Sequence, residues 1–396
     1  MPKENRLYNQ VYNQLYQSLN VNKTTLKRIT TLMLGIIRSK SASPAAIANS
    51  INELCLTDAT TESIERRIRL IENDHKINYE ICFVPFIKEF SFPGKIILII
   101  DPTTQDDRIV KLTAAIWYRG RALPLAWLTW PANKKLKGDG FWKRVGSLLD
   151  MVAQLIPKNV GVICIADRAF GSPSFIDLVT KHNWHYIVRI LKTTRCKDIK
   201  GVICPVSQLI PQQGDRAKMR GYLFKKAGWR PASIVAYWGK EYKSPLCLAS
   251  DLPPDYKLLQ SYLLRYPIEG MFRDEKSHGW HWEQGQVTDL EHVERLLICM
   301  SLATWVTLFV GTQVAKEYLS KPSSGKRRTV PYEGKRSLFE LGLRRLHKML
   351  SGNCDILIQW ELTHWNAPNW QKQILFHHVR AYLLGPNRKE PNYCYF

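Results

Sequence analysis

Four residues in the run YLLRYPIEGMFRDEK, namely Tyr262, Arg265, Glu269 and Lys276, are spaced to act together. At about 100° per residue they share one stripe, about 60° wide, on a continuous helix. That stripe joins one carboxylate to two cations and a phenol, while Asp274 and Glu275 fall on other faces. A solvated face of ion pairs has the same pattern, so further acids must decide between the readings. Pro267 lies inside the run and either starts or kinks the helix.

Two such acids exist. The apolar run KIILIID ends on Asp101, and VGVICIAD ends on Asp167. Reactive groups of open sheets collect at the carboxyl ends of strands, so neighbouring strands would carry both carboxylates to one edge. For either Asp alone, a turn or a helix cap is the plainer role. Pro102 restrains the backbone just after Asp101. Together, three carboxylates can hold two hard divalent cations about 3.5–4 Å apart. Such a pair activates a water or a DNA 3′-hydroxyl and stabilises the leaving oxygen of a phosphodiester displacement. Arg265 and Lys276 could then meet phosphate oxygens, and Tyr262 could hydrogen-bond or stack.

Composition points to the partner. The chain has 57 Lys and Arg against 34 Asp and Glu, a net charge of +23. An excess this large implies a polyanion, and its spread along the chain implies an extended contact with nucleic acid. The nine cysteines show no C-x-x-C pair or other metal spacing, which suits a reducing compartment. The opening MPKENRLYNQ is polar and lacks the apolar core of an export signal, so a cytoplasmic protein is expected. LLICMSLATWVTLFVG, residues 296–311, is short for a membrane span and predicts a buried helix, with no membrane partner.

The elements that must position the acids divide the chain into five stretches. Residues 1–92 read as a helical DNA-binding region: TTLKRITTLMLGIIRS is amphipathic, SPAAIANSI opens on Ser-Pro, and TTESIERRIRLIEN has a capping box from Thr61. Three short helices with a basic last one suit a helix-turn-helix-like reader, although plain bundles look alike. Residues 93–191 read as the first part of an α/β catalytic core in the order β-β-β-α-β-α-β, with a hairpin at Arg119-Gly120-Arg121. Glu269 follows Asp167 by 269 − 167 = 102 residues, more than the core needs, so residues 192–257 form an inserted β subdomain. Residues 258–319 resume the core with the Glu helix. Residues 320–396 comprise the basic connector KPSSGKRRTVPYEGKRS and a helical C-terminal region.

The sequence resembles the DDE transposases of bacterial insertion sequences marked by a Tyr-x2-Arg-x3-Glu-x6-Lys signature, which Tyr262, Arg265, Glu269 and Lys276 match at every step. ADRAFGS around Asp167 is similar to that family's second-Asp motif, and IILIIDPTTQD to its first; the likeness covers residues 93–310. The resemblance implies an RNase H-like mixed-sheet core with a β insertion between the second Asp and the Glu. It implies Asp101, Asp167 and Glu269 as catalytic ligands of two Mg²⁺ or Mn²⁺ ions. It also implies cut-and-paste movement at inverted terminal repeats, hairpin processing, double-stranded DNA as partner, and a homodimer bridging two ends. Tyr262, Arg265 and Lys276 would grip the DNA end, and Trp229 or Trp238 would stack on a flipped base; packing of the β subdomain is the alternative for each Trp. Two rival readings stand beside this one: an RNase H-like nuclease without strand transfer, and a domesticated DNA-binding protein using only the helical N-terminus.

Overall fold

Short polar side chains start the N-terminal helices. In the computed structural model, which describes residues 5–134, 136–240, 243–320, 336–352 and 358, Asn5 accepts the Tyr8 N–H to cap α1 (Arg6–Ser18). Asn22 accepts the Thr25 N–H to cap α2 (Lys23–Ser39). Pro44 opens α3 (Pro44–Glu53), where its missing N–H is no loss. Thr60 caps α4 (Thr61–Glu72), one residue before the expected position. A π-helical turn at Tyr79–Phe83 then leads into α5 (Val84–Lys88), so the region holds more helices than the three expected. Of the connector and helical C-terminal region expected within 320–396, residues 321–335, 353–357 and 359–396 lie outside the described residues.

The central strands follow the expected order. They are β1 (Lys95–Gln105), β2 (Ile109–Tyr118) and β3 (Arg121–Pro131), then α6 (Gly140–Leu155), β4 (Gly161–Ala166), α7 (Pro173–Thr180) and β5 (His185–Arg189). Arg119 (φ 51°) and Gly120 (φ 77°) are both left-handed, which a two-residue hairpin turn matched to strand twist requires. In space the order is β3-β2-β1-β4-β5, with β2 antiparallel to β1 and β3, and β4 and β5 parallel to β1. This is a mixed α/β core, consistent with the RNase H-like arrangement that the resemblance implies.

The inserted strands are β6 (Arg195–Asp198), β7 (Ile203–Pro205), β8 (Arg216–Leu223), β9 (Arg230–Tyr237) and β10 (Leu246–Ser250). They do not make a separate sheet. β10 pairs antiparallel with β5, Leu248 opposite Arg189, and the sheet runs on to ten strands in the order β3-β2-β1-β4-β5-β10-β9-β8-β6-β7. Without β10, the apolar β5 would expose an unpaired row of N–H and C=O groups.

The expected continuous helix through residues 262–276 is broken into three pieces. These are α8 (Lys257–Leu263), α9 (Pro267–Arg273) and a π-helical turn at Asp274–His278. Pro267 begins α9 because it has no N–H to give to a preceding turn.

α10 (Leu290–Ser320) is long and apolar enough to cross a membrane, but 94 % of its most apolar window is buried inside the protein. It is the core helix expected around residues 296–311. α11 (Leu338–Leu350) packs on it at Gly311 and Gly342, where a Cβ on either glycine would collide with the other helix's backbone carbonyl.

Candidate active site

Asp101 and Asp167 stand on adjacent parallel strands. The β1–β4 register ends at Ile100 opposite Ala166, so each Asp is the next residue on its strand path. Asp167 leaves β4 as expected. Asp101 does not end its strand: β1 runs on to Gln105, paired past Ile100 with β2 alone. A strand stretch with one free side tolerates Pro102, which explains why the proline does not turn the chain there.

Glu269 arrives from across the sheet edge in the first turn of α9. Arg265, in the short link between α8 and α9, ties the acids together. Its Nη1 lies 2.7 Å from Asp101 Oδ2 and its Nη2 lies 2.7 Å from Glu269 Oε1. Tyr262, buried in the last turn of α8, donates its hydroxyl to Asp167 Oδ1 at 2.9 Å. So three of the four signature residues converge on both Asp carboxylates, although the helix that carries them is interrupted. Lys276 does not join them, because the π-helical turn carries it to Glu283 at 3.4 Å. Arg189, unnoticed in the sequence, ends β5 with Nη1 3.9 Å from Asp167 Oδ1. A cation closing the strand next to an acid-bearing one was the available signal.

The two Asp residues are electrostatically unlike. Burial pushes Asp101 up to about 6, against the pull of Arg265 and with reinforcement from Asp167 and Glu269. Asp167 is pushed up by burial too, but the Arg168 N–H, Arg265, the Tyr262 hydroxyl and Arg189 outweigh it and hold the carboxyl below its usual range. Hard oxygen donors of this kind suit a divalent cation. Among the described residues, however, no three His, Cys, Asp or Glu side chains are grouped closely enough to hold one. The Arg265 guanidinium lies between Asp101 and Glu269 and supplies the positive charge. The donor chemistry therefore fits a metal, and ligation requires Arg265 to give up its carboxylates.

A pH dependence follows. A carboxyl raised to about 6 is protonated below that pH, and a protonated oxygen does not ligate a hard cation. Mn²⁺ affinity should therefore fall as pH drops through about 6, by close to tenfold for each further unit while Asp101 alone titrates. Isothermal titration across pH 5–7.5 measures it, and a flat profile would remove Asp101 from the ligand set. The sign for stability is opposite: the folded state binds this proton more tightly than the unfolded chain, so Asp101 costs stability as pH rises from about 4 to about 6.

Two buried ion pairs hold the segment behind Glu269. Lys111 on β2 places Nζ 2.9 Å from both carboxylate oxygens of Glu275, with neither side chain more than 2 % exposed. Its ammonium also lies 5.7 Å and 5.9 Å from the ring centroids of Trp127 and Trp282. Arg121, at the start of β3, pairs with Asp274. A Cβ on Gly270 would stand 3.1 Å from Arg121 Nη1, so the guanidinium packs directly against the residue after Glu269.

The far strands carry cations and aromatic rings. Arg216, Lys218, Arg220 and Tyr222 alternate outward along β8 and are exposed. Arg216 and Lys218 lie 5.0 Å and 5.2 Å from the Tyr256 ring, and Lys197 lies 4.7 Å and 5.0 Å from Tyr222 and Trp229. Trp229 is half-buried beside this face. Trp238 packs, half-buried, against the main apolar cluster.

Two acids thus stand side by side, on β1 and just after β4, and a third is carried by α9. The family model described as a transposase DDE domain matches residues 142–306. The match takes in Asp167, Tyr262, Arg265, Glu269 and Lys276; Asp101 lies before it. Enzymes of this family generally use divalent metal ions. No curated protein sequence matches the chain. Among solved structures, the piggyBac transposase in its synaptic complex with hairpin DNA aligns with a TM-score of 0.44 and 11 % identity, over 98 % of this chain and 85 % of that one. At that distance the likeness carries no argument about chemistry.

Proposed function

We propose that this protein is a cut-and-paste DNA transposase that cleaves and rejoins the inverted repeats of an insertion sequence, acting in the cytoplasm as a homodimer on paired ends. One observation carries the reading: Arg265 gathers Asp101 and Glu269 at the edge where Asp167 leaves the neighbouring strand. Asp101, Asp167 and Glu269 would hold two Mg²⁺ or Mn²⁺ ions, which when bound activate the attacking oxygen and neutralise charge on the leaving one. The chain's own residues do the rest. Tyr262 fixes the Asp167 carboxylate by donating to it. Arg265 presents a planar fork that fits a phosphate as well as a carboxylate, so the side chain that collects the acids can also take up the DNA backbone. Lys276, paired with Glu283 and apart from the acids, would have to leave that partner to reach a phosphate.

The basic face of β8 would carry DNA away from the cut. Lys218→Gln and Arg220→Gln should each weaken duplex binding and reduce the slope of log affinity against log salt by about 0.9, one phosphate contact apiece. Fluorescence anisotropy over a salt series reads this, and unchanged slopes would return both side chains to the solvent. The function itself is tested on a supercoiled plasmid bearing the repeats that flank the gene. Metal-dependent excision with joining to a target supports transposition, nicking without joining supports a nuclease, and binding without either supports a DNA-binding role only.

A further inference from the structure

The β6–β7 hairpin sets two thiols against each other. Cys196 on β6 is paired across the ladder with Cys204 on β7, and their sulfurs lie 3.7 Å apart. Bonds on both sides hold this pairing. The Val206 N–H donates to Thr194 O at 3.0 Å, and the Asp198 N–H donates to Val202 O at 3.1 Å. Hydrogen-bonded positions recur at every second residue of an antiparallel pair, so Cys196 and Cys204 are the one between, with Cα atoms about 5.5 Å apart. That is close to the usual Cα separation across a disulfide. The turn is fixed as well. The Val202 N–H donates to Asp198 Oδ1 at 2.8 Å, and Gly201 takes the left-handed position at φ +90°. A slip of register would break these bonds, so the sulfurs stay opposed.

The two sulfurs are unlike. Cys196 is buried in the main apolar cluster, and its Sγ–H donates to the Cys204 carbonyl at 3.2 Å. Burial and the neighbouring thiol push the Cys196 thiol well above the usual range, so it stays protonated at neutral pH. Cys204 is half-buried, and is the sulfur of the pair that an oxidant in solution reaches. Elsewhere Cys82, Cys164, Cys247 and Cys299 are buried, and Cys55 is exposed. A zinc site needs more ligands than two thiols, and no group of three is found among the described residues. Filling the core accounts for Cys196, but not for a second thiol brought against it from the surface side.

We infer that Cys196 and Cys204 form a reversible oxidation site, at which a peroxide converts the pair to a disulfide across the hairpin. The Cys204 sulfur attacks the peroxide. The O–O bond breaks, an S–O bond forms, and the Cys204 proton leaves with the released hydroxide as water. The Cys196 sulfur then attacks the Cys204 sulfenic acid. The S–S bond forms as the S–O bond breaks, and the Cys196 proton leaves with that oxygen as a second water. Two electrons thus pass from the thiols to the peroxide, and a small dithiol restores the pair by exchange. The bond closes residues 197–203 into a loop at the outer end of the ten-stranded sheet, with β5, β10, β9 and β8 between it and the acid-bearing β4. It stiffens the hairpin without touching Asp101, Asp167 or Glu269, and the site stands whether or not the protein binds DNA.

The test uses the full-length protein, first reduced and then given stoichiometric hydrogen peroxide. Remaining thiols are capped with N-ethylmaleimide in denaturant, and tryptic peptides are mapped by mass spectrometry with and without dithiothreitol. Cleavage at Lys197 and Lys200 separates the two cysteines. A Cys196 peptide joined to a Cys204 peptide should therefore be the main oxidised product, lighter by two hydrogens and parted by the dithiol. Cys204→Ser should abolish the link and leave Cys196 reduced. Cys196→Ala keeps the buried position apolar, and should leave on Cys204 a sulfenic acid that dimedone traps. Amide hydrogen exchange across residues 195–204 should slow by about tenfold in the oxidised protein, because the closed loop has fewer open states. Oxidation of Cys55 with both hairpin thiols still capped would overturn the site. So would a link from Cys204 to another cysteine or to a second copy of the chain. Equal exchange in the two forms would overturn the stiffening.

Discussion

Asp101→Asn and Asp167→Asn should each reduce metal-dependent DNA cleavage by about a thousandfold or more while leaving duplex binding nearly unchanged. A divalent cation contributes several kcal/mol of charge stabilisation at a phosphoryl transition state, and each 1.4 kcal/mol is about a factor of ten in rate. An amide keeps the shape of the side chain but withdraws the anionic oxygen that a hard cation needs. The two variants should differ in stability. In Asp101→Asn a buried charge that costs stability at neutral pH is removed, although Arg265 then keeps Glu269 as its only carboxylate. In Asp167→Asn a carboxylate held in its charged form by Tyr262, Arg265 and Arg189 is lost, so that variant should melt lower. Single-turnover cleavage, anisotropy and thermal melting on the same preparations separate the effects. Cleavage within tenfold of wild type in either variant would take that Asp out of the chemistry.

The acids were legible because each signal was local. An apolar run closing on an acid announces a buried strand, and at Asp167 also its end, while the spacing of Tyr262, Arg265 and Glu269 survives a break in the helix. It survives because the residues between α8 and α9 keep near-helical backbone angles, Leu264 at φ −64° and Tyr266 at φ −56°. Arg265 and Glu269 therefore still face each other four residues apart. Lys276 fails the same logic because a π-helical turn changes the angle per residue, and nothing in the spacing of DEKSH announces that turn.

What escaped the sequence depended on pairing over long separations. That β1 would continue through Pro102 follows from β2 extending past the end of β4, a fact about registers and not about either strand. That the insertion would prolong the core sheet follows from β10 choosing β5. Asp274 and Glu275 were set aside as lying off the signature stripe, yet their faces are the ones that meet Arg121 and Lys111. Residues 111 and 275 are 275 − 111 = 164 apart, and no periodicity connects them.

Breaking that last pair should have the largest effect on stability. Lys111→Met leaves Glu275 buried with no counter-charge, and removing one partner of a buried pair costs about 3–5 kcal/mol. The neutral double variant Lys111→Met with Glu275→Gln leaves no stranded charge and should recover most of the loss, since apolar or neutral replacement of a whole buried pair is often close to neutral. Urea denaturation of the wild type, the single variant and the double variant gives the comparison. A further consequence concerns the site. Glu275 lies in the turn that continues α9, so the single variant should also loosen Glu269 and weaken Mn²⁺ binding more than a surface variant of equal stability loss. A single variant as stable as wild type would mean that Glu275 is satisfied without Lys111, and that the ion pair is not what holds this segment.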